Sequence, residues 1–547
     1  YSNPNMMENT AIVAKVKLLG ELLELHDANP FKVRAWQNAY STLKKVGEPI
    51  VTMTPEQLSA LPGLGKNILS AITTLVKKGS VDELDDLLAR TPEGIVEMFN
   101  IKGIGPKKIA RFWHEMSLMS VGELIYYCTE NRLRDAKGFG EKSQQDILQK
   151  AMLYESSKNK WLYANVEPIL LAFEDALQKA SINRFRLTGQ AFRREQVVDH
   201  IRYVVDSEEG ILNIPEFVVL DSRNDVIKGK YMDRVTIEVV IDRANPFSRA
   251  FLDSFSETVD VATLFDIDKV PDNEEESSIF KTLGIPYISK ELRWSNELCL
   301  LNPQNLITVE DIKGVIHTHT VYSDGIHSIR EMCEFAYRNG YEYIAFSDHS
   351  KSASYANGLS IERILQQHRE IESMIPEFPG LTILKSIESD ILSDGNLDYD
   401  DEILGLFDFV IGSVHSGLNM DSERATQRLI KAIEHPFMNI LGHMTGRLLL
   451  ARKGYSPDMA KVIDACVANN VIIELNANPQ RLDLDYTQLK KATDRGVKIS
   501  INPDAHSREA IMNIRYGVIA GRNGGLQREN VINALPVNDF LASMVKK

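Results

Sequence analysis

The spacing of apolar residues changes along the chain, and each change marks a new kind of element. Residues 9–47 repeat apolar positions at helical intervals, as in Ala11-Ile12-Val13-Ala14-Lys15-Val16-Lys17-Leu18-Leu19, which predicts two amphipathic helices. Asn29-Pro30 stops the first, and Pro30-Phe31-Lys32-Val33-Arg34-Ala35-Trp36 opens the second. Residues 160–300 read as mixed α/β. Their clearest strand is Arg234-Val235-Thr236-Ile237-Glu238-Val239-Val240-Ile241, with period-2, β-branched character. The acidic stretch at residues 272–278 and the loop near residues 302–305 bracket a linker into the last domain. From Val309 the texture becomes strand-then-helix units, the rhythm of an α/β barrel.

Between the helical start and the mixed region, one theme recurs three times. It reads Leu61-Pro62-Gly63-Leu64-Gly65-Lys66, then Ile101-Lys102-Gly103-Ile104-Gly105-Pro106-Lys107-Lys108, then Ala136-Lys137-Gly138-Phe139-Gly140-Glu141-Lys142. Each is a Gly-apolar-Gly turn entering an apolar helix, as in helix-hairpin-helix motifs. The glycines permit a tight turn, and N–H groups at the next helix start can bind a phosphate oxygen. The trailing lysines add charge. One such turn is equally well a plain connector. Three of them, each followed by lysine, favour binding to the DNA backbone.

The strand ends carry the strongest chemical signal. Gly314-Val315-Ile316-His317-Thr318-His319 predicts a strand ending in HxH, whose residues i and i+2 share a face. Asp324 follows in the next loop. Residues 343–349 end in Asp348-His349, 383–388 in Glu388, 409–415 in His415, 438–443 in His443, and 498–506 in Asp504-Ala505-His506. In a parallel barrel such ends converge on one mouth. Any one of these histidines alone would be an ordinary hydrogen-bonded residue. Nine ligand-type side chains together, unpaired, would carry a heavy desolvation cost, which divalent metals relieve. Nine ligands suit two or three ions, with Glu388 able to bridge. Mixed imidazole and carboxylate ligands suit manganese or zinc, with iron a further candidate, and ligand softness alone does not choose among them. Clustered ions activate water and stabilise charge on phosphoryl oxygens, so phosphoester hydrolysis is the natural chemistry. His327, His368 and His435 lie in helices or loops and are read as ordinary residues.

Composition agrees with this division. The 547 residues suit three or four domains at about 150 residues each. The net charge of -14 is a poor match for a non-specific coat on nucleic acid. It is uneven: residues 1–160 hold 21 basic and 19 acidic residues, so the remainder carries -16. A nucleic-acid footprint therefore belongs in the N-terminal third. Nine of the 12 histidines fall between His317 and His506. Cys128, Cys299, Cys333 and Cys466 form no CxxC pair, which argues against disulfides or a cysteine zinc site and suits a reducing cytoplasm. No apolar run reaches the roughly 18 residues of a membrane span, and no signal peptide is read. Residues 1–5, ahead of Met6 and Met7, read as a vector remnant.

The segment from Val309 to the end resembles a PHP (polymerase and histidinol phosphatase) domain, with HxH, SDH, IExD, SVH, GHxTGR and DAH motifs in order. The resemblance implies a distorted (βα)7 barrel. It implies one ion held by His317, His319, Glu388 and Asp504, a second by Glu388, His415 and His443, and a third by Asp324, His349 and His506. The whole chain is similar to bacterial family X DNA polymerases (PolX), which join hairpin domains, palm and thumb to a C-terminal PHP domain. Carried onto this chain, that gives a multidomain protein. An 8-kDa-like helix-hairpin-helix domain spans 1–90 and a fingers-like hairpin domain 91–158. A palm spans 159–243, a thumb 244–302 and the PHP domain 303–547.

Two family features are absent. Aligned from Gly189, the positions of the two metal aspartates of a family X palm fall on His200 and Arg202, and the third carboxylate on Glu238. Nucleotidyl transfer needs two metals about 4 Å apart, and Arg202 puts a fixed cation there. Asp199 lies one residue off and would face the other side of a strand. The polymerase is thus expected to be lost or very weak. At the position of the family's lyase lysine stands Ala71, so Schiff-base chemistry lacks its amine unless Lys77 or Lys78 substitutes.

The expected function is metal-dependent hydrolysis of DNA, as a 3′-5′ exonuclease or at abasic or blocked ends in repair. Arg447 and Arg481 are candidate phosphate contacts, with structural ion pairing the alternative. The expected partner is gapped, single-stranded or damaged DNA, bound by a cytoplasmic, nucleoid-associated monomer away from any membrane. The rival readings are a residual family X polymerase in base excision repair, a small-molecule phosphatase of histidinol-phosphatase type, and a non-catalytic DNA-binding scaffold.

Overall fold

The computed structural model describes residues 9–156 and 158–545, so the stretch read as a vector remnant lies outside the described residues. The chain divides into two compact units. One comprises residues 1–128 and 139–155, the other residues 129–138 and 156–547.

The first unit is helical. Helices Asn9–Leu25 and Pro30–Leu43 form where the spacing predicts them. Asn29 caps the second, its side chain accepting the Phe31 N–H, and Pro30 occupies the first turn. The two helices pack together, burying Ile12, Leu19 and Leu22 from one and Val33, Trp36 and Ala39 from the other.

The three Gly-apolar-Gly turns share one backbone solution. Gly63, Gly103 and Gly138 take φ of 80°, 85° and 82°, a region costly for any residue with a Cβ. Gly65 and Gly105 are extended and cap the helices Lys66–Lys78 and Pro106–His114 with no side chain on the exposed N–H groups. Gly140 stands just before the helix Glu141–Ser156. A Cβ at Gly65, Gly105 or Gly140 would meet nothing within 4 Å.

In the second unit the strands are β1 (Trp161–Leu162), β2 (Phe185–Thr188), β3 (Val197–Val198), β4 (Ile201–Val205), β5 (Phe217–Arg223), β6 (Val226–Tyr231) and β7 (Val235–Ile241). β1 and β3 form a small antiparallel pair; the others form a five-stranded sheet in the order β2-β4-β7-β6-β5. β7 is the strand read from the sequence, less Arg234. Only the β4–β7 pairing is parallel. The helix Tyr163–Lys179 covers the sheet, its Phe173 ring within 5.0–5.5 Å of Tyr203, Phe217 and Tyr231.

The acidic stretch read as one bound of a linker is packed structure. Asp272 accepts the N–H groups of Phe247 and Ser248 at 2.8 and 3.0 Å. Glu276 grips Arg293, whose two terminal nitrogens lie 2.8 and 2.9 Å from its carboxylate. Arg293 is fully buried among Phe251, Phe255 and Phe280. A buried cation needs its partner, so the acidic residue is a structural requirement rather than a solvated tether.

The barrel follows as β8 (Gly314–Val315), β9 (Tyr343–Phe346), β10 (Thr382–Asp390), β11 (Phe409–Ser413), β12 (Met438–Leu441), β13 (Ile472–Asn476) and β14 (Ile499–Asn502). All seven run parallel in sequential order. A single parallel bridge, Thr318 to Ala505, nearly closes the ring. The helix Ile514–Asn523 joins barrel to sheet: Ile514 and Val518 enter the barrel core, Ile519 the core of the sheet.

Two sequence expectations change here. Six barrel strands are legible from their polar ends, and the structure adds β13, which ends in asparagine rather than in a ligand-type residue. The HxH motif also does not continue a strand. β8 stops at Val315, and His317 adopts φ 72°. Strand alternation therefore does not aim His317 and His319. Asp504 is likewise left-handed at φ 50°. The two irregular segments pair across the seam, His319 N donating to Ala505 O at 2.8 Å and Ala505 N to His317 O at 3.3 Å. Backbone of this kind costs of order 1–3 kcal/mol per residue and persists where surroundings enforce it.

Cys128, Cys299, Cys333 and Cys466 are buried thiols outside any disulfide. Among the described residues no helix is long and apolar enough to cross a membrane.

Candidate metal centre

The barrel mouth gathers all nine residues singled out from the strand ends. Glu388, fully buried on β10, lies at the middle. Its Oε1 lies 3.0 Å from His443 Nε2, 3.2 Å from His415 Nε2 and 3.3 Å from His317 Nε2. Its Oε2 lies 3.0 Å from His349 Nδ1 and 3.6 Å from His319 Nε2. Asp324 Oδ1 faces His506 Nε2 at 3.2 Å, His349 Nε2 at 3.5 Å and His319 Nδ1 at 3.8 Å. Asp504 Oδ1 faces His319 Nε2 at 3.1 Å and His317 Nε2 at 3.4 Å. Imidazoles and carboxylates thus alternate through one buried volume.

Three groups bring their ligand atoms within 4.8 Å of one another: His319, Asp324, His349 and His506; His317, His319 and Asp504; and His349, Glu388 and His415. The partition implied by resemblance differs: His319 and His349 each fall in two groups, Glu388 in one rather than two, and His443 in none. The donor set fits divalent ions. His317 Nε2, both nitrogens of His349, His506 Nε2 and Glu388 Oε2 are buried without a hydrogen bond of good geometry. Buried polar atoms are costly in that state, and ligation to a cation would satisfy them.

The electrostatics follow from the alternation. Burial disfavours the cation at His317, but Glu474, Asp504 and Glu388 outweigh it and hold the imidazole well above its ordinary value. Burial is likewise overcome at His349, lifted to about 10 by Asp324 and Glu388. At His319 burial wins, helped by His506 and His349, and the value falls to about 3. Glu388 stays well below the carboxylate range despite burial, because His415, His317 and His349 surround it.

Several supporting residues carry no role in the sequence reading. Glu474 Oε2 lies 2.6 Å from His317 Nδ1, and its Oε1 accepts the His443 N–H at 3.2 Å. Asn502 and Asn476 donate to Glu474 at 2.9 and 2.8 Å. Asp390 Oδ1 lies 2.5 Å from His415 Nδ1. Such partners fix a histidine's tautomer and ring orientation. Asp390 had a signal, because it is two residues past Glu388 and shares its face of β10. Glu474 had a weaker one, a charged residue inside the apolar run of β13. Asp348 accepts from Thr320, Ser323 and Gln367 and so holds the loop that carries Asp324.

The two candidate phosphate arginines part company. Arg481 Nε lies 3.6 Å from Asp504 Oδ2, beside the cluster. Arg447 is committed elsewhere: it donates to Arg481 O and Gln196 Oε1, each at 3.0 Å, and to Asp485 and Leu482 O. Its planar fork is used in holding the chain together, so the ion-pairing alternative describes it. His327 accepts the Arg508 N–H, His368 packs edge-on against Phe407 and His435 lies 3.4 Å from Asp401. All three stay outside the cluster.

In the five-stranded sheet, Arg202 on β4 and Glu238 on β7 sit opposite each other in register. Arg202 Nη2 lies 3.1 Å from Glu238 Oε2, and Lys228 Nζ 3.7 Å from Glu238 Oε1. His200 is mostly exposed, its Nε2 3.5 Å from Asp199 Oδ1. No second carboxylate faces Glu238 among the contacts of the described residues. Ala71 lies within the helix Lys66–Lys78, and Lys77 and Lys78 occupy its last turn.

Residues 7–81 match a helix-hairpin-helix domain and residues 316–478 a PHP domain. The protein is therefore of the class that joins a hairpin module to a PHP barrel. It belongs to the bacterial PolX family of DNA polymerases. The DNA polymerase/3′-5′ exonuclease PolX of Bacillus subtilis (strain 168) is 31% identical to it, over 98% of this chain and 99% of that one. A probable phosphatase of Thermoanaerobacter sp. (strain X514) is 30% identical over 40% of this chain and 88% of its own. A histidinol phosphate phosphatase of Lactococcus lactis, solved with zinc, L-histidinol and phosphate, is 19% identical, covering 39% of this chain and 94% of that one with a TM-score of 0.29.

Proposed function

We propose that this PolX protein is a metal-dependent DNA phosphodiesterase of the 3′-5′ exonuclease type whose polymerase site has lost its function. The observation that carries the proposal is the contrast between two clusters. Eight ligand-type residues share one buried volume with Glu388, whereas Glu238 is paired with Arg202. The Bacillus relative bears both activities in its name, and this chain keeps side chains suited to the second.

On this reading residues 1–90 and 91–158 are hairpin domains, 159–243 a degenerate palm, 244–302 a thumb and 303–547 the phosphoesterase. Gly63, Gly65 and Lys66, then Gly103, Gly105, Lys107 and Lys108, then Gly138, Gly140 and Lys142 hold the DNA backbone without reading its sequence. His317, His319, Asp324, His349, Glu388, His415, His443, Asp504 and His506 hold two or three divalent ions, manganese first and zinc or iron as alternatives. Such ions supply an activated water and positive charge at the phosphoryl oxygens. The protein's own part is orientation: Glu474 fixes His317, Asp390 fixes His415, and Asp348 holds the Asp324 loop. Arg481, beside Asp504, would donate to a phosphate oxygen.

The test uses 5′-labelled single-stranded and gapped DNA with Mn2+, Mg2+ or Zn2+. The expected result is progressive shortening from the 3′ end, reduced about 10³-fold in Glu388→Gln, the scale of removing a group that stabilises reacting charge. No shortening with any ion, or equal rates in the variant, would overturn the proposal. Release of a terminal phosphate alone would favour the phosphatase reading that the Thermoanaerobacter relative suggests.

A further inference from the structure

One segment far from the PHP match in sequence reaches the metal centre. Residues 129–138 run from the last residue of the helix Val121–Thr129 into the third Gly-apolar-Gly turn, yet by their contacts they belong to the barrel's unit. Glu130 is 4% exposed. Its Oε1 accepts from Asn478 Nδ2 at 3.1 Å, and its Oε2 makes a close ion pair with His506 Nδ1. Arg132 Nε lies 3.0 Å from Asp324 Oδ2, and the Arg132 side chain is 11% exposed. Its guanidinium lies over the Tyr355 ring, 5.1 Å from the centroid. The same ring is 6.2 Å from His349 and 6.5 Å from His415. Tyr355 itself is 44% exposed.

The chemistry differs between the two residues. A carboxylate on the outer nitrogen of a metal-type histidine fixes the ring and strengthens it as a ligand. Glu130 stands to His506 as Glu474 stands to His317 and Asp390 to His415. Arg132 is a fixed cation with a planar fork, suited to a phosphate oxygen pair. Asp324 anchors that fork beside the cluster, and the aromatic ring sets its plane.

We infer that residues 129–138 are part of the phosphoesterase centre, with Glu130 a positioning residue for His506 and Arg132 a phosphate-binding residue for the DNA backbone. The inference rests on the phosphodiesterase reading above. It means that the segment leading into the third hairpin turn also helps to build the hydrolytic site. Neither residue was visible as a site residue in the sequence, because the Arg132–Asp324 contact spans 192 positions.

The test uses the full chain with Glu130→Gln, Arg132→Ala and Arg132→Lys, each checked for an unchanged melting temperature. Calorimetric titration with Mn2+ reads the site without turnover, and titration of the Mn2+-loaded protein with inorganic phosphate reads Arg132. Glu130→Gln should weaken Mn2+ binding about 10-fold or more, on the scale of other supporting partners. Arg132→Ala should leave Mn2+ stoichiometry intact, weaken phosphate binding and raise KM for single-stranded DNA at least tenfold; Arg132→Lys should recover part of both. Unchanged Mn2+ affinity in Glu130→Gln, or unchanged phosphate affinity and KM in Arg132→Ala, would overturn the inference. Wild type that fails to hydrolyse DNA would sink the phosphodiesterase reading instead, while the two titrations would still decide the roles of Glu130 and Arg132.

Discussion

The barrel mouth and the Arg202–Glu238 pair of the five-stranded sheet both bring charged residues from neighbouring strands together, and they differ in what neutralises the carboxylates. At the mouth most partners are imidazoles, with Arg132 on Asp324 and Arg481 beside Asp504 at its edge. A histidine can give up its proton and offer a lone pair, so an ion can take the proton's place. In the sheet the partner is a guanidinium, charged at every accessible pH and without a lone pair to offer. Arg202 therefore occupies its position permanently. The difference teaches that a cluster's capacity for metal lies in how replaceable its counter-charges are.

Breaking the first half of the comparison gives the largest effect. Asp504→Asn removes a carboxylate shared by His317 and His319. It should reduce DNA hydrolysis about 10³-fold, on the scale of other charge-stabilising groups. The protein should stay folded, which circular dichroism and gel-based kinetics check together.

Glu474→Gln sharpens the comparison by touching a support rather than a ligand. It should weaken Mn2+ affinity by roughly 10–100-fold, read by calorimetry, and extra Mn2+ should restore much of the hydrolysis rate. Loss of rate that no Mn2+ concentration repairs would move Glu474 from support into the reaction itself.

The hairpin turns come next. Lys66→Glu and Lys107→Glu together should weaken DNA binding and lower the slope of log K against log salt by about one for each phosphate no longer neutralised. Fluorescence anisotropy over a salt series measures this. A slope equal to wild type would reduce these turns to connectors.

Arg202→Ala should do least. The pair is partly exposed, with Arg202 42% exposed at its side chain, and such pairs contribute about 0–1 kcal/mol. The melting temperature should fall by a degree or two and DNA hydrolysis should not change. A loss of hydrolysis would couple the sheet to the barrel in a way that the comparison denies.

Much of the barrel was legible because its polar residues follow short apolar strands, so chain order and spatial order coincide. His349, Glu388 and His443 meet for that reason. The HxH pair was found by a rule that the backbone does not follow, since His317 leaves the strand with positive φ. β13 was missed because it ends in Asn476 and carries its functional-looking residue, Glu474, in mid-strand. Asp390 could have been read from its register with Glu388. Glu130 and Arg132 could not, because no local pattern encodes a contact across so much chain. The acidic stretch near Asp272 read as a linker boundary by composition, but its carboxylates accept part-buried backbone N–H groups and pair with a buried arginine.

The central claim is that this PolX chain degrades DNA and does not extend it. A gapped primer–template, labelled at the primer 5′ end, should be incubated with the protein, Mn2+ and all four dNTPs. The account predicts products shorter than the primer, with none longer at any time. Template-directed products longer than the primer, surviving in Asp504→Asn and lost in Glu238→Ala, would contradict it.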